Sequence, residues 1–88
     1  MTKEIILDVS LLQPPLPMEM AMDATDKLKP GEYIKMVHRM QPHPLYNILL
    51  DNGFRYKIKE SNDLFEIFIW IATDKTTGDL IKELIKKT

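Results

Sequence analysis

Pro14, Pro15, Pro17, Pro30, Pro42 and Pro44 are the chain's six prolines, and all of them fall in its first half. Proline has no N–H and cannot continue a helix interior or a central ladder, so each cluster marks where one element stops and another starts. Between these breaks the apolar pattern alternates in kind. Residues 4–9 form a short run with β-branched Ile5, Ile6 and Val9 and read as a strand buried on both sides or nearly so. Pro17 suits the first turn of a helix, with Glu19 near the positive end of its dipole. Ala21, Ala24 and Leu28 follow at helical spacing, with Met18 and Met22 on an adjoining stripe, until Lys29-Pro30-Gly31 stops the helix. Residues 32–39 return to a strand pattern that puts Tyr33 and Val37 on one face and Ile34 and Met36 on the other. Pro44 to Asn52 then reads as a short helix with Leu45, Ile48 and Leu49 on one face, closed by Asn52-Gly53.

The second half continues without proline. Phe54 to Lys59 alternates strictly between apolar and cationic residues, which predicts a half-buried strand. Glu60-Ser61-Asn62-Asp63 supplies turn chemistry, and Leu64 to Ala72 is the most hydrophobic strand of the chain. The order β-α-β-α-β-β predicts an α/β (α+β) two-layer sandwich, with a mixed four-stranded sheet and two helices on one face. Phe65, Ile67, Ile69 and Ile71 then face the helices, and Phe68 and Trp70 point the other way. The tail adds Thr76-x-x-Asp79 as a capping box and an apolar stripe of Leu80, Ile81, Leu84 and Ile85. A helix of about ten residues is marginal alone, so it must dock. Residues 1–73 are expected to form the domain and residues 74–88 an amphipathic helix on the outer sheet face. Packing within the chain is the simpler expectation, and packing across a homodimer is the alternative.

Eighty-eight residues allow one core, and twelve basic against thirteen acidic side chains leave a net charge of −1. No global field draws in nucleic acid or an anionic membrane. With no cysteine there is no disulfide, thiolate metal site or thiol nucleophile. The start lacks a basic-then-apolar signal pattern and no apolar run is long enough to span a bilayer, so the cytoplasm is the expected location.

Leu7-Asp8-Val9-Ser10-Leu11-Leu12-Gln13-Pro14-Pro15-Leu16-Pro17, followed by Lys29-Pro30-Gly31-Glu32, resembles the TusA/SirA sulfur-carrier signature Leu-Asp-x-x-x-Leu-x-Cys-Pro-x-Pro with its later Pro-Gly-Glu. Pro14 stands at the cysteine position and carries no nucleophile. His38-Arg39-Met40-Gln41-Pro42-His43-Pro44 ahead of Leu45-Tyr46 looks like the Pro-x-Pro-Leu-Tyr pattern of a cysteine-free relative, the domain of unknown function 2249 family. The resemblance covers about residues 5–71 and implies that the loop holding Gln13 and Pro14 lies at the same end of the sheet as the loop from His38 to His43. Such relatives occur beside haemerythrin-like and other redox domains, which implies a partner role in redox physiology.

At that end His38, Arg39, His43 and Tyr46, with Gln13 and Pro14, are the candidate ligand-binding residues, for a carboxylate, phosphate or sulfur oxyanion held partly by helix N-termini. The plainer reading makes His38 a strand-end residue bonded to its loop, His43 a substitute N-cap, and Tyr46 a core ring with a wet hydroxyl. Two histidines five positions apart do not form a helical pair, so no metal site is assigned. Met18, Met20, Met22, Met36 and Met40 read as core filler or contact surface rather than as soft metal ligands. Met18, Met22, Phe68 and Trp70 are the candidate interaction surface. Arg55, Lys57, Lys59 and Lys35 read as a solvated sheet face rather than a phosphate track. Ser10 and Ser61 lack a histidine pattern, and no catalytic residue or cofactor is assigned. A non-catalytic protein-interaction or adaptor module with an unknown protein partner is the leading reading. The alternatives are an anion or small-ligand sensor and a metal- or haem-associated redox accessory.

Overall fold

The computed structural model describes residues 2–86, so Met1, Lys87 and Thr88, at the outer limits of the two expected units, lie outside the described residues. The elements are β1 (Lys3–Asp8), α1 (Leu16–Asp26), β2 (Glu32–His38), α2 (His43–Asp51), β3 (Phe54–Ser61), β4 (Leu64–Ile71) and α3 (Lys75–Lys86). The strands form one mixed sheet in the order β1-β2-β4-β3. β1 and β2 are parallel, which requires the crossover that α1 supplies, and β4 runs antiparallel to both β2 and β3. This is the α+β architecture that the alternation of periods predicts.

The two sheet faces bury different residues of the same strands, as the two-residue period demands. Ile34 and Met36 of β2 and Ile67 and Ile69 of β4 are completely buried on the inner face, under Ala21 of α1 and Leu45 and Leu49 of α2. On the outer face Tyr33, Phe68 and Trp70 close around Ile81 of α3, with Ile85 at the edge of the cluster. α3 thus covers part of the outer face of the sheet in the single chain.

Local chemistry moves several boundaries. α1 stops at Asp26 because the N–H groups of Lys27 and Leu28 bond only three residues back, to Ala24 and Thr25 carbonyls, and tighten the last turn. Asn62 and Asp63 both take positive φ, 51° and 64°, which is the two-residue turn whose twist matches a hairpin, so β3 runs on to Ser61. β1 is not buried on both sides. It is an edge strand, and Ile6 on its outer face is 64% exposed.

The cap of α3 also lies two residues earlier than the Thr76-x-x-Asp79 pattern suggests. Asp74 accepts from the Thr77 N–H at 3.2 Å and from the Thr77 hydroxyl at 2.6 Å. The same carboxylate accepts from the Gly31 N–H at 2.7 Å, which ties the start of α3 to the turn before β2. Gly31 has φ +87°, a left-handed conformation open to glycine at little cost.

Gly78 is required for space rather than for backbone conformation. A Cβ at position 78 would lie 2.6 Å from Nε1 of Trp70, a ring that is 5% exposed and held beneath α3. Alanine gains about 1 kcal/mol over glycine in a helix, whereas forcing atoms into a packed contact costs typically about 1–3 kcal/mol. Gly78→Ala is expected to lower stability despite its better propensity, and urea unfolding followed by the fluorescence of Trp70, the sole tryptophan, measures it. An increase in stability would contradict the packing of α3 on the indole.

Candidate functional site

The C-terminal ends of the parallel strands β1 and β2 lie side by side, and the bond from the Val9 N–H to the Val37 carbonyl, 2.9 Å, carries their ladder one residue past β1. Each strand then leads through a proline-rich loop into a helix. The two loops therefore converge at one end of the sheet. Between them lies a cleft of about 380 Å³. Leu12, Gln13, Pro14 and Pro15 form one wall, with Pro17 and Met18 from the start of α1. His38, Arg39, Met40 and Gln41 form the other, with Pro42 and Pro44. The peptide between Pro14 and Pro15 is cis.

The prolines decide the polarity of this cleft. Both helices begin without a side-chain cap, after Pro15 and Pro42, and each has proline in its first turn, Pro17 and Pro44. A helix start ordinarily presents free N–H groups. Here Pro17 and Pro44 have none to present. The N–H groups of Leu16, His43 and Leu45 are occupied by the carbonyls of Gln13, Gln41 and Pro42 at 3.0, 2.9 and 2.9 Å. The surface left to the cleft is mostly hydrocarbon.

Of the six residues expected to bind a ligand, the cleft gathers four: Gln13, Pro14, His38 and Arg39. Met18, expected on a contact surface, lines it too. His43 and Tyr46 do not. His43 is the first residue of α2, not its cap, and is exposed with its ring edge-on to Tyr46 at 5.7 Å. Tyr46 lies in the core, stacked on Tyr56 with ring centroids 4.4 Å apart, and its hydroxyl donates to Gln41 Oε1 at 3.2 Å. Burial, with a smaller contribution from Tyr56, pushes the Tyr46 hydroxyl up to about 12. Its role is to hold Gln41 on the wall of the cleft.

Other expected contact residues are also reassigned. Phe68 and Trp70 are each 5% exposed beneath α3, and Met22 is partly buried against the inner core, so none of the three lies on the loop-end cleft. Among the described residues no group of three histidine, aspartate or glutamate side chains is placed to hold a metal ion. Leu12, Met40 and Gln41 complete the walls; they belong to the two loop motifs but were not among the expected ligand-binding residues. The signal present for them was the density of proline and methionine on either side of the two strand ends.

His38 Nδ1 accepts the Met40 N–H at 3.2 Å, a bond that requires the unprotonated ring nitrogen. Burial, and then the charge of Arg39, hold the imidazole below its ordinary 6.5. Ser10 donates to Asp8 at the end of β1 through its N–H at 3.0 Å and its hydroxyl at 2.6 Å, which keeps that carboxylate below its ordinary 3.8.

A family model described as uncharacterized conserved protein (DUF2249) matches residues 6–71, from the first strand to the end of the last. The chain belongs to this family. In this DUF2249 protein α3 lies beyond the matched segment, whereas both walls of the cleft lie inside it. No curated protein and no solved structure matches the chain. No helix among the described residues is long and apolar enough to cross a membrane.

The lowered pKa of His38 fixes a sign. The folded state takes up this proton less readily than the unfolded chain, so the stability concerned is present above 6.5 and is lost as pH falls through the folded value. Asp8 and Asp74 are lowered as well, so their share is present above 3.8 and is lost only at more acid pH. Thermal melting is expected to show an upper decline that sets in as pH falls below 6.5 and a separate acid one that sets in below 3.8. His38→Gln should flatten the upper decline and leave the acid one, and an unchanged upper decline would contradict the role given to His38.

Proposed function

We propose that this chain is a non-catalytic protein-interaction module, and that its cleft receives an apolar side chain of a partner protein. The observation that carries the reading is the continuity of the cleft with exposed hydrocarbon on its own loops. Leu11 is 87% exposed, Met40 66% and Leu16 48%, all on the segments that form the walls. Apolar surface massed at one place rather than scattered marks a contact site. Methionines at its edge suit a surface that repacks against a partner. Arg39 and Gln13 supply the polar rim, and Arg39 suits an acidic residue beside the inserted side chain.

The absence of a nucleophile in the cleft supports the non-catalytic part. Pro14 lines it where the sulfur-carrier signature would place a cysteine, and Ser10 is engaged by Asp8. We extend the proposal to descent: the β-α-β-α-β-β order and the position of Pro14 fit a TusA/SirA-like domain whose sulfur site became an apolar contact. A second reading, a small carboxylate ligand, is favoured by His38 and Arg39 standing side by side on one wall. It ranks behind the first because Pro17 and Pro44 each take a backbone donor from a helix start, and the walls are mostly apolar.

A photocrosslinker at Leu11 is expected to trap one polypeptide in the cells that make this protein. The same group at Ile6, exposed on the opposite sheet face, should not. With that partner purified, Arg39→Ala and Met40→Asp should each weaken binding by about tenfold or more, as loss of an interface anchor does, with melting temperature unchanged. Equal crosslinking from both sites, or unaltered affinity in Met40→Asp, would refute the proposal.

A further inference from the structure

The cations of the outer sheet face divide into two groups once α3 is in place. Lys35 and Lys59 both flank Glu66, at 3.2 and 3.9 Å, and share its one negative charge. Arg55 and Lys57 of β3 instead meet Lys75 and Lys82 of α3 across a second cleft of about 380 Å³. These four make no ion pair among the described residues. The one carboxylate lining the cleft is Asp79, so four positive charges face one negative in a chain whose net charge is −1.

Trp70 lines this cleft and gives it a hydrogen-bond donor. Its indole is 95% covered, and buried indole N–H groups ordinarily have a partner. Nε1 donates to nothing among the described residues, while no completely buried nitrogen or oxygen there lacks a partner, so this N–H opens into the cleft. Gly78 keeps it open. Any side chain at that position would begin 2.6 Å from Nε1 and cover it. Glycine is a poor helix former, and at position 78 it leaves an unpaired donor beside cations that have no ion pair.

We propose that the cleft between β3 and α3 binds a small ligand carrying two or more phosphate charges, with Trp70 Nε1–H and the Arg55 guanidinium donating to phosphate oxygens and Lys57, Lys75 and Lys82 balancing the charge. Guanidinium and ammonium groups form charge-assisted bonds to phosphate, and a neutral N–H adds direction to them. A nucleic-acid strand fits less well. It needs a track of cations, and the neighbouring Lys35 and Lys59 are already paired to Glu66. The site lies on the sheet face opposite α1 and α2, at the end of the sheet away from the loop cleft, and stands independently of the proposed partner surface.

Trp70 is the sole tryptophan, so its indole N–H gives a single resonance in a nitrogen-labelled sample of the full chain. Titration with tripolyphosphate at constant ionic strength is expected to shift that resonance saturably. Lys82→Ala and Lys57→Ala, both at exposed and unpaired residues, should each weaken binding at least fivefold without changing the unliganded melting temperature. Asp79→Asn should strengthen it, and Lys35→Ala should leave it unchanged. No shift, the same shift with sodium chloride, indifference to Lys82→Ala, or tighter binding of a single-stranded RNA oligonucleotide than of tripolyphosphate would each overturn the proposal.

Discussion

The two cores of this fold meet at β4. It pairs with β2 on one side and β3 on the other, and both of its faces are covered. Ile67 and Ile69 take the weight of α1 and α2 on the inner face, while Phe68 and Trp70 take α3 on the outer. A small chain buries a limited share of its surface, and β4, like β2 with Tyr33 on one face and Ile34 and Met36 on the other, serves two cores at once. The antiparallel ladders on either side fix its register, and a slip of one residue would send isoleucines outward and the tryptophan inward.

That economy leaves the edges and the loop end of the sheet free for contact. β1 adds only one covered face, and its parallel pairing with β2 brings two strand-to-helix loops together. Prolines then set the character of that end. They start the helices without polar caps and withhold donors where a phosphate-binding loop would display them. What remains is a mostly apolar cleft that Arg39 and Gln13 also line. The second cleft has the opposite composition, being cationic with a free indole donor. The two proposals, apolar contact at one and phosphate at the other, rest on this difference in composition.

Much of the fold was legible because proline punctuation and apolar period speak about local structure. Leu64 to Ile71 announces a central strand by composition, and the alternation through Phe54 to Lys59 announces its half-buried neighbour. The edge position of β1 was not legible, since Ile5, Ile6 and Leu7 look the same whether or not a layer covers Ile6. The cap of α3 was misplaced because Asp74 and Thr76 are comparable N-cap residues, and only the contact with Gly31 decides between them. At the site, motif order located both loops and four of the six expected residues. His43 and Tyr46 escaped because a helix beginning at His43 turns Tyr46 into the core, a rotation that loop spacing does not reveal. The cationic cleft was hidden for a further reason. Lys75 and Lys82 come from a helix whose docking site is a tertiary fact, and the pairing of Lys35 and Lys59 with Glu66 separates residues that look equivalent along their strands.

The central claim is that the apolar loop-end cleft is where this protein meets another polypeptide. Native mass spectrometry of the untagged chain isolated from its own cells tests it most directly, because one spectrum reports bound protein and retained small ligand together. The account predicts an assembly with a second, different polypeptide that disappears when Met40 is replaced by aspartate. A chain that leaves alone, or with a small molecule in place of a protein, in both the natural and the Met40→Asp forms, would contradict it.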